Sequence, residues 1–162
     1  MRTSLRLAGA AFAGLLLLTG CDYTVPITAR PTRPVNARLL GDWISLDPSG
    51  KQDAAMSVRP LDESAYAVAI EGDIYRAFHS ECAGLPLVSV QDLNSSSRKY
   101  VYYAWQLTAD GARLTLRRVS LAVIPDSTPD SPAVQRLLAA HASDPKLFEH
   151  ELVFTRKPPH PL

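Results

Sequence analysis

Lys99-Tyr100-Val101-Tyr102-Tyr103-Ala104-Trp105-Gln106-Leu107 is the most strand-like stretch of the chain, and Asp110-Gly111 follows it closely. Aromatic and β-branched residues favour strands because they pack well on a pleated, half-buried surface. Asp-Gly is a strong signal for a tight hairpin turn. Residues 99–107 and 112–119 are therefore predicted to pair as an antiparallel hairpin.

Other short segments have the same character, and Gly, Asp or Pro residues separate them. Tyr66, Val68 and Ile70 share one face of their segment, which is the period-two pattern of a half-buried strand. Short strands at close, regular spacing are typical of a sheet sandwich or a barrel. The additional predicted strands are residues 41–46, 55–59, 65–70, 74–79, 85–92 and 150–156.

Helical signals are fewer. Asn36 is predicted to cap a single turn that ends at Gly41. Ser131-Pro132 is predicted to begin a later helix as its cap and first residue, and Asp144-Pro145 to stop it. The apolar stripe of that helix falls at i, i+3, i+4 and i+7, at Val134, Leu137, Leu138 and His141.

These elements predict a mainly β fold. About eight sequential antiparallel strands close most economically into a small up-and-down barrel, because closure removes exposed strand edges. The one helix precedes the last strand. Residues 36–157 are predicted to form this single barrel-like domain, and residues 158–162 a proline-rich tail.

Gly41-Asp42-Trp43 on the first predicted strand resembles the Gly-x-Trp signature of lipocalins. The resemblance implies an eight-stranded barrel with a helix near its C-terminus and an interior that binds a small apolar ligand. It also implies that a late-strand arginine packs across Trp43 at the closed end of the barrel. Arg156 is placed to be that residue, and Arg118 is the alternative; the contact would be a cation–π pair.

The first twenty residues have the layout of a secretory signal. Arg2 and Arg6 precede an apolar run, residues 7–18, which is too short to span a bilayer. Leu18-Thr19-Gly20-Cys21 resembles the lipobox of bacterial lipoproteins. The resemblance implies that residues 1–20 are removed by cleavage between Gly20 and Cys21, and that Cys21 carries a diacylglyceryl group and an N-terminal acyl chain. No later apolar run is long enough to cross a membrane.

The segment after the lipobox, residues 21–35, reads as a lipidated tether. Pro26, Pro31 and Pro34 favour an extended, semi-rigid chain. The alternative is that this segment packs on the domain. Asp22 resembles the enterobacterial signal for retention in the inner membrane, so the inner membrane, facing the periplasm, is favoured over the outer membrane.

Charge and cysteine content narrow the classes of partner. Loss of residues 1–20 leaves 15 Lys and Arg against 16 Asp and Glu, so the mature chain is near-neutral. It has no basic field to attract nucleic acid. With Cys21 joined to lipid, Cys82 is the one remaining cysteine and no intramolecular disulfide is expected.

Signals for catalysis are weak. His79, Glu81 and Cys82 lie close in sequence, but adjacent residues on a strand point in different directions, and a lone buried thiol is the preferred interpretation. The histidines lack zinc-ligand spacing, and no phosphate-binding loop or nucleophile elbow is present. We therefore predict no catalytic residues, no metal site, no cofactor and no enzymatic activity.

Aromatic side chains are the candidates for a binding site. Lining of a barrel mouth by Tyr66, Tyr100, Tyr102 and Trp105 is one interpretation, and core packing with cross-strand pairs is the other.

The function predicted from sequence is that of a non-catalytic, membrane-anchored envelope lipoprotein. Its β domain would serve as an interaction module for an envelope protein. The alternative is a lipid-tethered, lipocalin-like binder of a small apolar ligand. A third hypothesis is an enzyme that uses the neighbouring residues His79, Glu81 and Cys82. A cavity would favour the ligand, whereas a filled barrel with an exposed apolar patch would favour the protein partner.

Overall fold

The computed structural model describes residues 23–157. In it the strands pair in chain order and close into one barrel. All neighbouring strands are antiparallel, and the last strand returns to the first through Trp43 opposite Arg156. The predicted mainly β barrel with one helix before the last strand is confirmed. The strands are β1 (Gly41–Leu46), β2 (Gln52–Pro60), β3 (Tyr66–Ile70), β4 (Asp73–His79), β5 (Leu87–Asp92), β6 (Tyr100–Leu107), β7 (Arg113–Val119) and β8 (Phe148–Arg156).

Side chains alternate between the interior and the exterior along each strand. On β6, Tyr103 and Trp105 belong to the apolar clusters of the interior, whereas Tyr102 belongs to a separate cluster outside. The barrel therefore has two apolar cores, one inside it and one between its outer wall and the covering segments.

One end of the barrel is covered by a 3-10 turn, Ala37–Leu39, immediately before β1. Asn36 caps this turn as predicted, because its side chain accepts a hydrogen bond from the backbone N–H of Arg38 at 3.0 Å. Trp43 lies beneath the turn and donates its indole N–H to the Leu39 carbonyl at 3.0 Å. We call this covered end, with Leu39 and Trp43, the closed end.

Helix α1 (Ser131–Ala140) lies against the outer wall. Its N-cap is Asp130, whose side chain accepts from the N–H of Ala133 at 2.7 Å, so the prediction of Ser131 as the cap is off by one residue. Aspartate and serine serve equally well in this position. Val134 and Leu138 of the predicted stripe are fully buried.

Residues 23–35 pack on the barrel, so over these residues the prediction of an extended, semi-rigid tether is wrong and the alternative holds. Tyr23 stacks on Tyr102 with ring centroids 3.8 Å apart, and its backbone pairs with that of Tyr100 through two bonds of 2.8 Å. Ile27 is fully buried and donates its N–H to Ser89 at 3.0 Å. The buried side chains of Tyr23 and Ile27 thus hold this segment against the barrel despite its three prolines.

The predictions that concern residues 1–22 and 158–162 lie outside the described residues. They are the signal peptide, the cleavage after Gly20, lipidation of Cys21, sorting by Asp22 and the tail.

Candidate functional site: the barrel interior

The barrel interior contains a cavity of about 100 Å³. Its wall is built from every strand except β1, together with Leu39 of the 3-10 turn. Among residues 23–157, no charged side chain lines it. The lining residues are Leu39, Met56, Val58, Tyr66, Val68, Ile70, Tyr75, Ala77, Val88, Val90, Tyr103, Trp105, Leu114, Leu116, Leu152 and Phe154.

Two of the four predicted lining residues, Tyr66 and Trp105, line this cavity. The prediction is wrong for Tyr100 and Tyr102, which are on the outer face of β6. Tyr102 is buried beneath the N-terminal segment and donates its hydroxyl to the Val25 carbonyl. Strand alternation separates the two pairs, because residues 100 and 102 share a face and residue 105 is on the opposite one.

Tyr75 and Tyr103 also line the cavity, and sequence reasoning missed them. The signal for Tyr103 was available, because it shares the parity of Trp105 on β6. Tyr75 is similarly placed on β4, two residues from Ala77. The sequence could not show which face of either strand was the interior until the partners of the outer face were known.

At the closed end, the Arg156 guanidinium lies 4.3 Å from the centre of the Trp43 ring, which is the predicted pairing. The same group donates to three backbone carbonyls, those of Gly111 at 3.1 Å, Leu40 at 2.8 Å and Arg38 at 2.6 Å. Arg118, the alternative, instead stands opposite Glu149 on β8.

Gly41 makes room for this arginine. A Cβ atom at position 41 would lie 2.6 Å from Arg156 Nη1, and the Gly41 φ of +134° is one that other residues rarely adopt. The Gly41-Asp42-Trp43 signature is therefore explained by packing at the closed end, with the glycine and the tryptophan both contacting Arg156.

Tyr66, which lines the cavity, also belongs to a short hydrogen-bond network with Asn36 and His79. The backbone N–H of Asn36 donates to the Tyr66 hydroxyl oxygen at 2.6 Å, and that hydroxyl lies 2.7 Å from His79 Nε2. His79 is only 1% exposed. Burial is the main cause that lowers the pKa of His79 below its usual 6.5; Glu81 opposes this shift and Arg33 adds to it.

The lowered pKa of His79 predicts a pH dependence of stability. Below about pH 6.5 the unfolded chain takes up a proton at this histidine that the folded chain does not, so the free energy of unfolding is expected to fall as the pH drops through that value. Urea unfolding between about pH 7.5 and pH 5 measures the slope. His79→Gln should flatten it, and an unchanged slope in this variant would contradict the assignment.

His79, Glu81 and Cys82 are close in sequence, but each side chain contacts a different partner. His79 Nε2 bonds Tyr66, Glu81 pairs with Arg33 at 2.8 Å, and Cys82 Sγ lies 3.6 Å from the Gln135 carbonyl. Burial raises the pKa of the Cys82 thiol, which disfavours the nucleophilic thiolate. The three side chains therefore do not make up a nucleophile–base pair in this arrangement.

The described outer surface carries few large exposed apolar side chains. Leu46, Leu61 and Ile74 are each 51% exposed. They lie at the end of β1, in the turn after β2 and near the start of β4. Single exposed apolar residues are normal on protein surfaces, whereas an interaction patch is contiguous over several hundred Å².

Comparison of the chain with protein-family models, with curated proteins and with solved structures finds no significant match in any of the three. Within residues 23–157, no helix is long and apolar enough to cross a membrane. Over the same residues, no group of three His, Cys, Asp or Glu side chains is placed to hold a metal ion.

Proposed function

We propose that the protein is a lipid-anchored envelope lipoprotein whose barrel binds a small apolar molecule in its interior. The observation that carries the proposal is the cavity of about 100 Å³ with an uncharged lining. Typical ligand pockets measure about 300–1,000 Å³, and an apolar cavity of about 150 Å³ takes up benzene. The cavity is smaller than both, so the ligand is at most a compound of about the size of benzene or a short aliphatic segment.

The same observations weaken the alternative of a protein-docking module. Such a module needs a contiguous apolar patch of several hundred Å², and only Leu46, Leu61 and Ile74 are large apolar residues that are well exposed among residues 23–157. The apolar surface that a ligand would cover lies inside the barrel instead. The order of the two sequence-based hypotheses is therefore reversed, with ligand binding first.

Val90→Phe tests the proposed site. Val90 lines the cavity, and its larger replacement would fill much of the free volume, so binding of a small apolar probe such as benzene is expected to fall at least about tenfold. Ala69→Phe is the matched control, because Ala69 is exposed on the outer face of β3. Isothermal titration of both variants and the native protein gives the affinities. Equal affinities in all three would contradict the proposal.

The lipid anchor is proposed from Leu18-Thr19-Gly20-Cys21, and the burial of Tyr23 adds a consequence. Cys21 and Tyr23 are two residues apart, a span of at most about 7 Å. Because Tyr23 is fixed in the outer core of the barrel, a lipid on Cys21 would hold the barrel directly against the bilayer surface. Two or more acyl chains make such an anchor stable.

Cys21→Ala tests the anchor independently of ligand binding. The variant is expected to accumulate as an uncleaved precursor and to lose labelling by a fatty-acid analogue, because the acceptor thiol is absent. Cys82→Ala is the matched control and should be labelled like the native protein. Undiminished labelling of Cys21→Ala would contradict the assignment, and gel mobility shows whether cleavage occurred.

A further inference from the structure

Tyr23, at the start of the N-terminal segment, lies at the end of the barrel opposite the closed end. Its backbone forms two hydrogen bonds of 2.8 Å with Tyr100, the first residue of β6. Connections in an up-and-down antiparallel barrel alternate between its two ends. Because β1 begins at the closed end, β6 begins at the opposite one. We call this opposite end, with the connecting residues 47–51, 71–72 and 93–99, the anchor end.

The proposed lipid on Cys21 would enter the bilayer beside the anchor end. Cys21 precedes Tyr23 by two residues, which span at most about 7 Å. Strand β6 has eight residues, a length of roughly 25 Å, and it runs from the anchor end to the closed end. The anchor end is therefore within reach of the two-residue connection, and the closed end is well beyond it.

Two well-exposed apolar side chains belong to the same end. Ile74, near the start of β4, donates its N–H to Asn94 Oδ1 at 2.9 Å, and Asn94 is in the connection that leads into β6. Leu46 is the last residue of β1. Leu61, in the connection after β2, is at the closed end instead. All three side chains are 51% exposed, so they differ in their place on the barrel and not in their exposure.

Charge at the anchor end does not favour an anionic partner. Lys51, Arg98 and Lys99 are the basic residues of its three connections and the adjoining strand ends, where acidic residues outnumber them. Attraction to anionic headgroups requires a surplus of basic residues. Exposed aliphatic side chains beside an acyl anchor instead fit the layer between headgroups and acyl chains, where apolar side chains are buried without any need for charge.

We propose that the anchor end is a membrane-contact surface, covered by a phospholipid bilayer into whose interfacial layer Ile74 and Leu46 insert. The inference rests on the proposed lipid anchor and specifies the orientation of the barrel on it. The closed end, with Trp43 and Arg156, points away from the bilayer into water. Burial of the two aliphatic side chains adds to the binding that the acyl chains provide, because interfacial binding scales with the buried apolar area.

Fluorescent labels at the three equally exposed positions test this orientation. Ile74→Cys, Leu46→Cys and Leu61→Cys are each made in the full chain with Cys82→Ala, so that the introduced thiol takes up a bimane label. Leu61→Cys is the matched control, because Leu61 has the same exposure at the closed end. Each labelled protein is reconstituted in phosphatidylcholine nanodiscs. The readouts are quenching by iodide, which stays in water, and the wavelength of the bimane emission.

Iodide is expected to quench the labels at positions 74 and 46 at least about threefold less than the label at position 61, since interfacial burial removes the first two from water. Their emission should also shift to shorter wavelength. The label at position 61 should match a bimane–cysteine adduct in buffer in both readouts.

The outcomes separate this inference from the proposed anchor. Equal quenching at positions 61 and 74 would overturn the orientation and leave the anchor in place, and so would protection of position 61 alone. The parent chain with Cys82→Ala has Cys21 as its one remaining cysteine. Uptake of bimane by this parent would reveal an unmodified thiol on Cys21 and overturn the anchor, and the orientation with it.

Discussion

Tyr23→Ala is expected to lower the free energy of unfolding by about 3–5 kcal/mol, the usual cost of removing a large buried aromatic side chain. Tyr23 is 1% exposed, stacks on Tyr102 and donates its hydroxyl to the Ile124 carbonyl at 2.8 Å. It therefore joins the N-terminal segment, the outer face of β6 and the loop before α1. Urea unfolding measures the loss.

Tyr23→Phe is the matched control for that experiment. It retains the ring and removes the hydroxyl bond to Ile124, so a loss of about 1 kcal/mol is expected. If this segment were instead an extended tether away from the barrel, the free energy of unfolding of Tyr23→Ala would stay within about 0.5 kcal/mol of the native value, as for other surface substitutions. That result would contradict the packing of residues 23–35 on the barrel.

Arg156→Ala is expected to cost about 2–4 kcal/mol and is the second large effect. The guanidinium is half-buried, bonds three backbone carbonyls and covers the Trp43 ring, and hydrogen bonds to charged groups exceed neutral ones in strength. Its removal also leaves the carbonyls of Leu40 and Gly111 without this donor. Urea unfolding again gives the free-energy difference.

Two controls identify the cause of that loss. Arg156→Lys keeps the charge but not the planar fork, so it should recover less than half of the stability. Arg59→Ala removes another strand arginine, which is exposed and pairs with Asp42 at 2.6 Å, and should cost less than about 1 kcal/mol. If Arg156→Ala were no more harmful than Arg59→Ala, the closed end would not depend on the Trp43–Arg156 contact.

The barrel itself was predictable because its local signals agree with one another. Residues 41–46 were bounded correctly, and the hairpin of β6 and β7 follows from its aromatic strand and the Asp110-Gly111 turn. The contact of Arg156 with Trp43 was reached through a resemblance to lipocalins and not from spacing. Register and closure depend on pairings between distant strands, which a single sequence does not display.

The packing of residues 23–35 on the barrel could not be predicted from the sequence. Proline content correctly indicates an irregular backbone but carries no information on what covers it. The buried residues Tyr23 and Ile27 are four positions apart in an irregular segment, so no periodic pattern in the sequence indicates their burial. The same gap explains the error at Tyr102, whose partner on the outer face is Tyr23 itself.

The hydrogen-bond network of Asn36, Tyr66 and His79 could not be predicted from the sequence either. His79 was noticed for its nearness to Cys82, whereas its contacts are Tyr66 and Trp105, which come from β3 and β6. Barrel closure brings these three strands' side chains together at one level of the interior. Only the folded arrangement shows that His79 Nδ1 and Trp105 Nε1 are buried with no hydrogen-bond partner among residues 23–157.

Native mass spectrometry of the protein purified from the cells that make it tests ligand binding most directly. The expected spectrum shows the protein with one small organic molecule that is released on collisional activation. The adduct should be absent from Val90→Phe, in which the cavity is filled, and retained in Ala69→Phe. A ligand-free native protein, or an adduct that persists undiminished in Val90→Phe, would contradict binding in the barrel interior.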